Sequence, residues 1–268
     1  MDYHIHSKFS FDSVEELDPI CRQAIRAGLS EIAFTEHLDL HAGQDISDCH
    51  YLRHEARREA AVEEMRLKYR SRLIIRYGLE LGQPHRDPAF MDTLRETRRF
   101  DFVLGSVHYT TDERELLSLS YPDRSFADHI ISDYFDNLSL LPDQPDIDAL
   151  AHICMPLRVL EHIFPKPSFL CYTDRLRPIL QRLVQTGKAL EVSTKGLRYW
   201  LHALEPEFAL LRLYRELGGE LITVGSDSHD ASTVGEGIRD AYAYIAQAGF
   251  RYVTRYEAHQ PRPVRLEN

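Results

Sequence analysis

Two histidines one residue apart, His4 and His6 in "DYHIHS", stand near the start of the chain. Residues two apart in a β-strand point to the same face, so a strand here would aim both imidazoles at one place. Imidazoles converge when something between them rewards it, and a metal ion is the usual reward. An acid, Asp12, follows. Further imidazoles and acids recur downstream, each near the end of a short apolar run: His37 in "FTEH", Glu80 in "YGLEL", His108 in "GSVHY", His152 in "ALAHI", and Asp227 with His229 in "VGSDSH". Six histidines and three carboxylates exceed what one ion needs, since a single zinc takes three or four protein ligands. The set predicts two or three divalent transition-metal ions, with at least one bridging carboxylate. Such sites clamp the attacking and leaving oxygens of a displacement and supply hydroxide at neutral pH. The reaction class this implies is hydrolysis, with a phosphate ester as the natural target. Imidazole and carboxylate together accept zinc, manganese or iron.

The elements that must position these groups alternate along the chain. The first strand is read at about Tyr3–His6. Ser13 with Glu16 reads as a capping box, ahead of a helix carrying Val14, Leu17, Ile20, Ala24 and Ile25 and stopped by Gly28. Further strands are read at 31–37, 72–81, 100–108, 146–153, 188–194 and 220–229. Helices are read at 51–71, 87–99, 126–141, 174–187, 206–219 and 233–248. A polar, lid-like segment spans Leu38 to His50, and a tail follows the last helix. Seven strand–helix alternations predict a parallel sheet. Chemistry-bearing residues at the carboxyl ends of six of the seven strands favour a barrel over an open sheet. The remaining strand, the sixth, offers Glu191 and, just beyond it, Lys195 and Arg198.

Bulk properties narrow the function. The chain has 268 residues with no repeat, low-complexity tract or long linker, and reads as one domain over 1–268. Its formal net charge of −10 counts against nucleic acid and anionic membrane surfaces. Four scattered cysteines without a CxxC pair suit a reducing cytoplasm. No secretory leader and no spanning apolar run are read, so a cytoplasmic protein without membrane partners is expected. Oligomeric state is not legible.

The ordered segments "DYHIHS", "FTEH", "DFVLGSVH", "DIDALAH" and "ITVGSDSHD" resemble the signature set of the PHP (polymerase and histidinol phosphatase) superfamily, over residues 2 to about 240. Within it, the length and "DFVLGSVHY" are similar to the stand-alone histidinol-phosphate phosphatases of histidine biosynthesis. The resemblance implies a distorted (β/α)7 TIM-like barrel with a trinuclear site at the carboxyl ends of the strands. It implies one ion on His4, His6, Glu80 and Asp227, a second on Glu80, His108 and His152, and a third on Asp12, His37 and His229. Arg158 in "HICMPLR" and Arg198 in "STKGLR" resemble the family's phosphate-binding arginines, a role that suits a bidentate guanidinium. Lys195 is a weaker phosphate candidate. Asp227, His229, Arg158 and Arg198 are thereby assigned to catalysis. The expected reaction is hydrolysis of L-histidinol phosphate, a small phosphomonoester, to L-histidinol and phosphate. The rivals are a phosphoesterase acting on nucleotides or single-stranded nucleic-acid ends, and an accessory metal-binding module of a larger assembly.

Overall fold

The computed structural model describes residues 1–41, 49–97, 99–160, 168–199 and 201–266. Seven strands run parallel in sequence order: β1 (Asp2–Ile5), β2 (Glu31–Asp39), β3 (Ile74–Gly82), β4 (Phe102–Ser106), β5 (Ala149–Leu150), β6 (Ala189–Ser193) and β7 (Ile222–Gly225). The first and last strands meet through a single parallel bridge, Ile5 to Ser228, with His6 N donating to Ser228 O at 2.8 Å. The sheet is therefore a nearly closed, distorted barrel of the (β/α)7 type. The helices between the strands are α1 (Leu17–Arg26), α2 (His50–Arg53), α3 (Glu55–Tyr69), α4 (Pro88–Thr97), α5 (Arg124–Leu138), α6 (Thr173–Gln185), α7 (Phe208–Glu216) and α8 (Ile238–Gln247). None of the described helices is long and apolar enough to cross a membrane.

Strands buried on both faces need apolar residues inward and outward, and β3 and β6 are buried nearly throughout. Leu79, Leu104, Ala149, Leu190, Ile222 and Ile5 fill the barrel wall, and the helices pack Ile20, Phe135, Leu180, Leu210 and Ile245 against it. Parallel pairing places strand ends in register: His37 sits opposite Glu80, and Asp39 opposite Gly82. One strand thus fixes the height of the next strand's polar residue.

Four local expectations change. Ser13 and Glu16 form no capping box: α1 begins at Leu17 behind Glu16, whose side chain makes no cap, and Ser13 Oγ instead donates to His229 O at 2.8 Å. Val14 is 95% exposed and lies outside the helix. The charged helix read over 51–71 is two helices, broken at His54. The fifth strand shrinks to two residues. The tail is an antiparallel hairpin, β8 (Tyr252–Glu257) with β9 (Gln260–Arg265), that stoppers the amino-terminal end of the barrel through Tyr256. Pro261 and Pro263 remove two donors from the exposed β9, which discourages further strand pairing. Most of the lid-like segment, residues 42–48, lies outside the described residues.

Candidate metal centre

The parallel strands all deliver their carboxyl ends to one side, and Glu80 is the hub there, fully buried on β3. Its Oε1 lies 3.0 Å from His108 Nε2 and 2.8 Å from His152 Nε2. Its Oε2 lies 3.0 Å from His4 Nε2, 3.3 Å from His6 Nε2 and 3.1 Å from His37 Nδ1. Asp227, just past β7, sets Oδ1 3.6 Å from both His6 Nε2 and His229 Nδ1. Asp12, in the β1–α1 loop, sets Oδ2 2.8 Å from His229 Nε2 and 3.4 Å from His37 Nε2. All nine residues singled out from the sequence meet in one cluster, which opens into a cleft of about 450 Å³.

Several neighbours hold this cluster in place. Glu191 on β6 lies with Oε1 2.7 Å from His4 Nδ1, and its Oε2 accepts from His152 N at 2.8 Å, so one carboxylate orients two imidazole-bearing residues. Asp39, which the sequence reading passed over by ending β2 at His37, lies 2.7 Å from His108 Nδ1. The signal was available, since Asp39 is two residues beyond His37 and shares its face. Two glycines make room for these pairs. A Cβ on Gly82 would fall 1.8 Å from Asp39 Oδ1, and one on Gly225 would fall 2.3 Å from His4 Cβ and 2.5 Å from Glu191 Oε1. Glu36 accepts from Ser7 N, Ser7 Oγ and Ser10 Oγ, which ties the β1–α1 loop beneath His6. Gln83, His152 and Asp227 have positive φ, at the ends of β3, β5 and β7. Such residues cost about 1–3 kcal/mol each and persist where their surroundings over-determine them, commonly at functional sites.

The electrostatics follow from burial and from carboxylates packed among imidazoles. Burial would raise Glu80, yet His4, His37 and His108 hold it well below the usual carboxylate range. Burial opposes the same outcome at Asp227, where Lys195, His4 and Arg158 hold the carboxyl well down. His108, opposed by burial, is pushed up to about 10 by Asp39 and Glu80. His6 is driven down by burial and by the neighbouring His229 and His37. Carboxylates and imidazoles packed this closely shift one another in opposite directions, and a metal ion would act on the same groups.

The donors fit such ions. Four triads each offer ligand atoms within 4.8 Å of one another: His4, His6 and Asp227; His4, Glu80 and His152; His6, His37 and His229; His37, Asp39 and His108. Buried His6 Nε2, His37 Nδ1, His152 Nδ1 and Asp39 Oδ2 have no hydrogen-bond partner. In a polar, roomy cluster these are atoms that a cation would satisfy. Three of the triads share two or more residues with sets that the resemblance implies, and the fourth places Asp39 with His37 and His108.

The three basic candidates separate. Lys195 lines the cleft, with Nζ 2.8 Å from Asp227 Oδ1. Arg158 lines it too, but is buried to 2% exposure and donates to Glu205 and Asp227. Arg198 does not line it. Its Nη2 donates to Ser226 O at 2.5 Å, bracing the backbone behind Asp227. A short 3₁₀ turn, Lys195–Arg198, turns the two side chains to different places.

Comparison with known proteins places the chain in a family. The PHP domain family model matches residues 2–195. A histidinol-phosphatase of Lactococcus lactis is 28% identical over 260 residues, covering 96% of this chain and 94% of its own. A Thermotoga maritima protein described as "Probable histidinol-phosphatase" is 27% identical over 255 residues, covering 94% of each. The crystal structure of the L. lactis histidinol phosphate phosphatase, complexed with zinc, L-histidinol and phosphate, superposes with a TM-score of 0.78. It shows 25% identity and covers 97% of this chain and 98% of that one.

Proposed function

The chain belongs to the PHP domain family, and on that premise we propose that it is a metal-dependent phosphatase that hydrolyses L-histidinol phosphate to L-histidinol and phosphate. The observation that carries the reading is the convergence of five imidazoles on the buried Glu80 at the floor of an open cleft. The L. lactis relative, similar over nearly the whole chain, holds zinc together with both products of that reaction. The family match ends at residue 195, whereas Asp227 and His229 complete the cluster, which supports one functional unit over 1–268.

His4, His6, Asp12, His37, Glu80, His108, His152, Asp227 and His229 would hold two or three divalent ions, with zinc, manganese and iron all suited to the donor set. Ions there would supply positive charge against the phosphoryl oxygens and acidify a water. The chain's own residues do the rest. Lys195 and Arg158 bring cationic side chains to the cleft beside Asp227 and face a dianionic phosphate. Asp12 orients His229 at the cleft mouth, and Asp227, held anionic against burial by Lys195, His4 and Arg158, presents an acceptor carboxylate beside them. Arg198 serves by fixing the Ser226–Asp227 backbone. Phe11, Tyr109 and Leu117 offer an apolar wall for an imidazole ring, and Glu115 offers a carboxylate for a cationic amine.

The test is a phosphatase panel on metal-reconstituted protein. We expect kcat/KM for L-histidinol phosphate to exceed that for nucleoside monophosphates and simple phosphomonoesters at least about tenfold, a gap of ~1.4 kcal/mol. The gene should also restore histidine-free growth to a strain lacking this step. Equal turnover of nucleotides or oligonucleotide ends, with failed complementation, would leave a phosphoesterase of different substrate.

A further inference from the structure

Glu205 lies outside every motif read in the sequence, in the segment between β6 and α7 that follows Arg198. It is nevertheless buried to 2% exposure beside the cleft. Two backbone hydrogen bonds fasten it to the carboxyl end of β6: Ser193 N donates to Glu205 O at 2.7 Å, and Glu205 N donates to Ser193 O at 3.0 Å. The fold also makes space for its side chain. A Cβ on Gly196 would come within 3.1 Å of Glu205 Cγ and Oε1.

What Glu205 touches is Arg158. Arg158 Nε donates to Oε1 at 3.1 Å and Oε2 at 3.0 Å, and Nη2 donates to Oε2 at 2.6 Å. That occupies the Nε–Nη2 edge of the guanidinium, with Ser193 Oγ a further 3.4 Å acceptor for Nη2. Nη1 is directed to the other side, 3.2 Å from Asp227 Oδ2. A planar fork held along one edge has its other nitrogen fixed in direction. Without Glu205, the same fork could turn to pair with Asp227 along two nitrogens, since a buried cation seeks full compensation. That would neutralise the carboxylate that also faces His4, His6 and Lys195.

We propose that Glu205 is a positioning residue for the phosphatase reaction: by clamping the Nε–Nη2 edge of Arg158 it limits Arg158 to a contact with Asp227 through Nη1 and holds that nitrogen at the cleft for the phosphoryl group. This rests on the phosphatase reading above. Glu205 touches neither phosphate nor reacting atoms and acts through the arginine, so its effect must vanish when the arginine is gone.

The experiment is a double-mutant cycle in metal-loaded protein with Glu205→Gln, Arg158→Ala and the pair. Its readouts are inorganic phosphate affinity by calorimetry, kcat and KM on L-histidinol phosphate and p-nitrophenyl phosphate, and metal content. Glu205→Gln is expected to weaken phosphate binding and lower kcat/KM on both substrates about tenfold at unchanged metal content, the scale of a displaced supporting partner. In the Arg158→Ala background it should change either by less than about twofold. Glu205→Asp, which keeps the charge on a shorter arm, should recover part of the loss and covers the case in which the amide variant does not fold. Unaltered phosphate affinity in a folded Glu205 variant, or equal losses with and without Arg158, overturns the proposal. Wild-type protein that binds phosphate but cleaves neither ester overturns the functional reading instead, while an Arg158-dependent loss of phosphate affinity would still uphold the clamp.

Discussion

At the amino-terminal end of the barrel, Tyr3, Glu31 and Arg76 are nearly as buried as the residues around Glu80 at the opposite end. There Glu31 Oε1 accepts from Tyr3 Oη at 2.7 Å and from Arg76 Nε at 2.6 Å, while Arg66 Nη2 lies 2.7 Å from Asp101 Oδ2. The hairpin closes over this network, Tyr256 N donating to Tyr3 Oη at 3.0 Å. None of these five network residues, nor Tyr256, has an orphaned buried side-chain atom, whereas the carboxyl end leaves His6, His37, His152 and Asp39 each with one. Both ends bury charge. One end satisfies it with protein partners of opposite sign, and the other also leaves imidazole and carboxylate atoms that a cation would satisfy. Burial and perturbed protonation therefore do not by themselves mark the working end. Unmet coordination capacity beside an open cleft does.

The sharpest way to break that contrast is at the two hubs. Glu80→Gln should abolish metal retention and lower turnover at least about 10³-fold, the upper scale of losing a preorganised electrostatic group, with far-UV circular dichroism unchanged. Wild-type rate and metal content in this variant would make Glu80 a structural residue like Glu31. Glu31→Gln should do the opposite: it leaves Arg76 without its main partner and should cost about 3 kcal/mol of stability in denaturant melts, while kcat/KM stays within about twofold. A comparable loss of activity there would erase the distinction between the ends.

A smaller effect sharpens it. Glu191→Gln, which loosens His4 and His152 without removing a coordinating group, should lower metal affinity or activity about 10–100-fold, measured by competition with a chromogenic chelator. An unchanged affinity would show that the barrel wall alone holds both imidazoles. At the closed end, Tyr256→Phe, which removes the hydroxyl that donates to Asp148 O at 3.3 Å, should leave metal content untouched. It should cost about 1 kcal/mol, the worth of one buried hydroxyl's hydrogen bond, read by thermal unfolding.

Much of this arrangement was legible in the sequence because a parallel barrel converts strand order into a ring. His4, His37, Glu80, His108, His152 and Asp227 each end an apolar run, and the fold turns those ends to one side. Side chains near strand ends were harder where an element's length was misjudged. Asp39 was passed over because β2 runs two residues past His37. Glu191 stood in plain view on the sixth strand, but nothing local says that its carboxylate reaches His4. Glu205 had no local signal at all, since its role depends on an antiparallel bridge made after a long connection. Ser13 shows the reverse failure. A valid cap pattern was overridden because the loop carrying it is drawn to His229 and the rim of the cluster. The hairpin was hidden by Pro261 and Pro263, which weaken a strand pattern while suiting an edge.

The central claim is that the cluster around Glu80 holds ions that make the chain a phosphatase for L-histidinol phosphate. Elemental analysis paired with phosphate release, before and after dialysis against a strong chelator, tests it most directly. The account predicts two or three transition-metal ions per chain, turnover of L-histidinol phosphate that disappears with them, and recovery when divalent ions are returned. Fewer than about one ion per chain with full turnover in the chelator would contradict it.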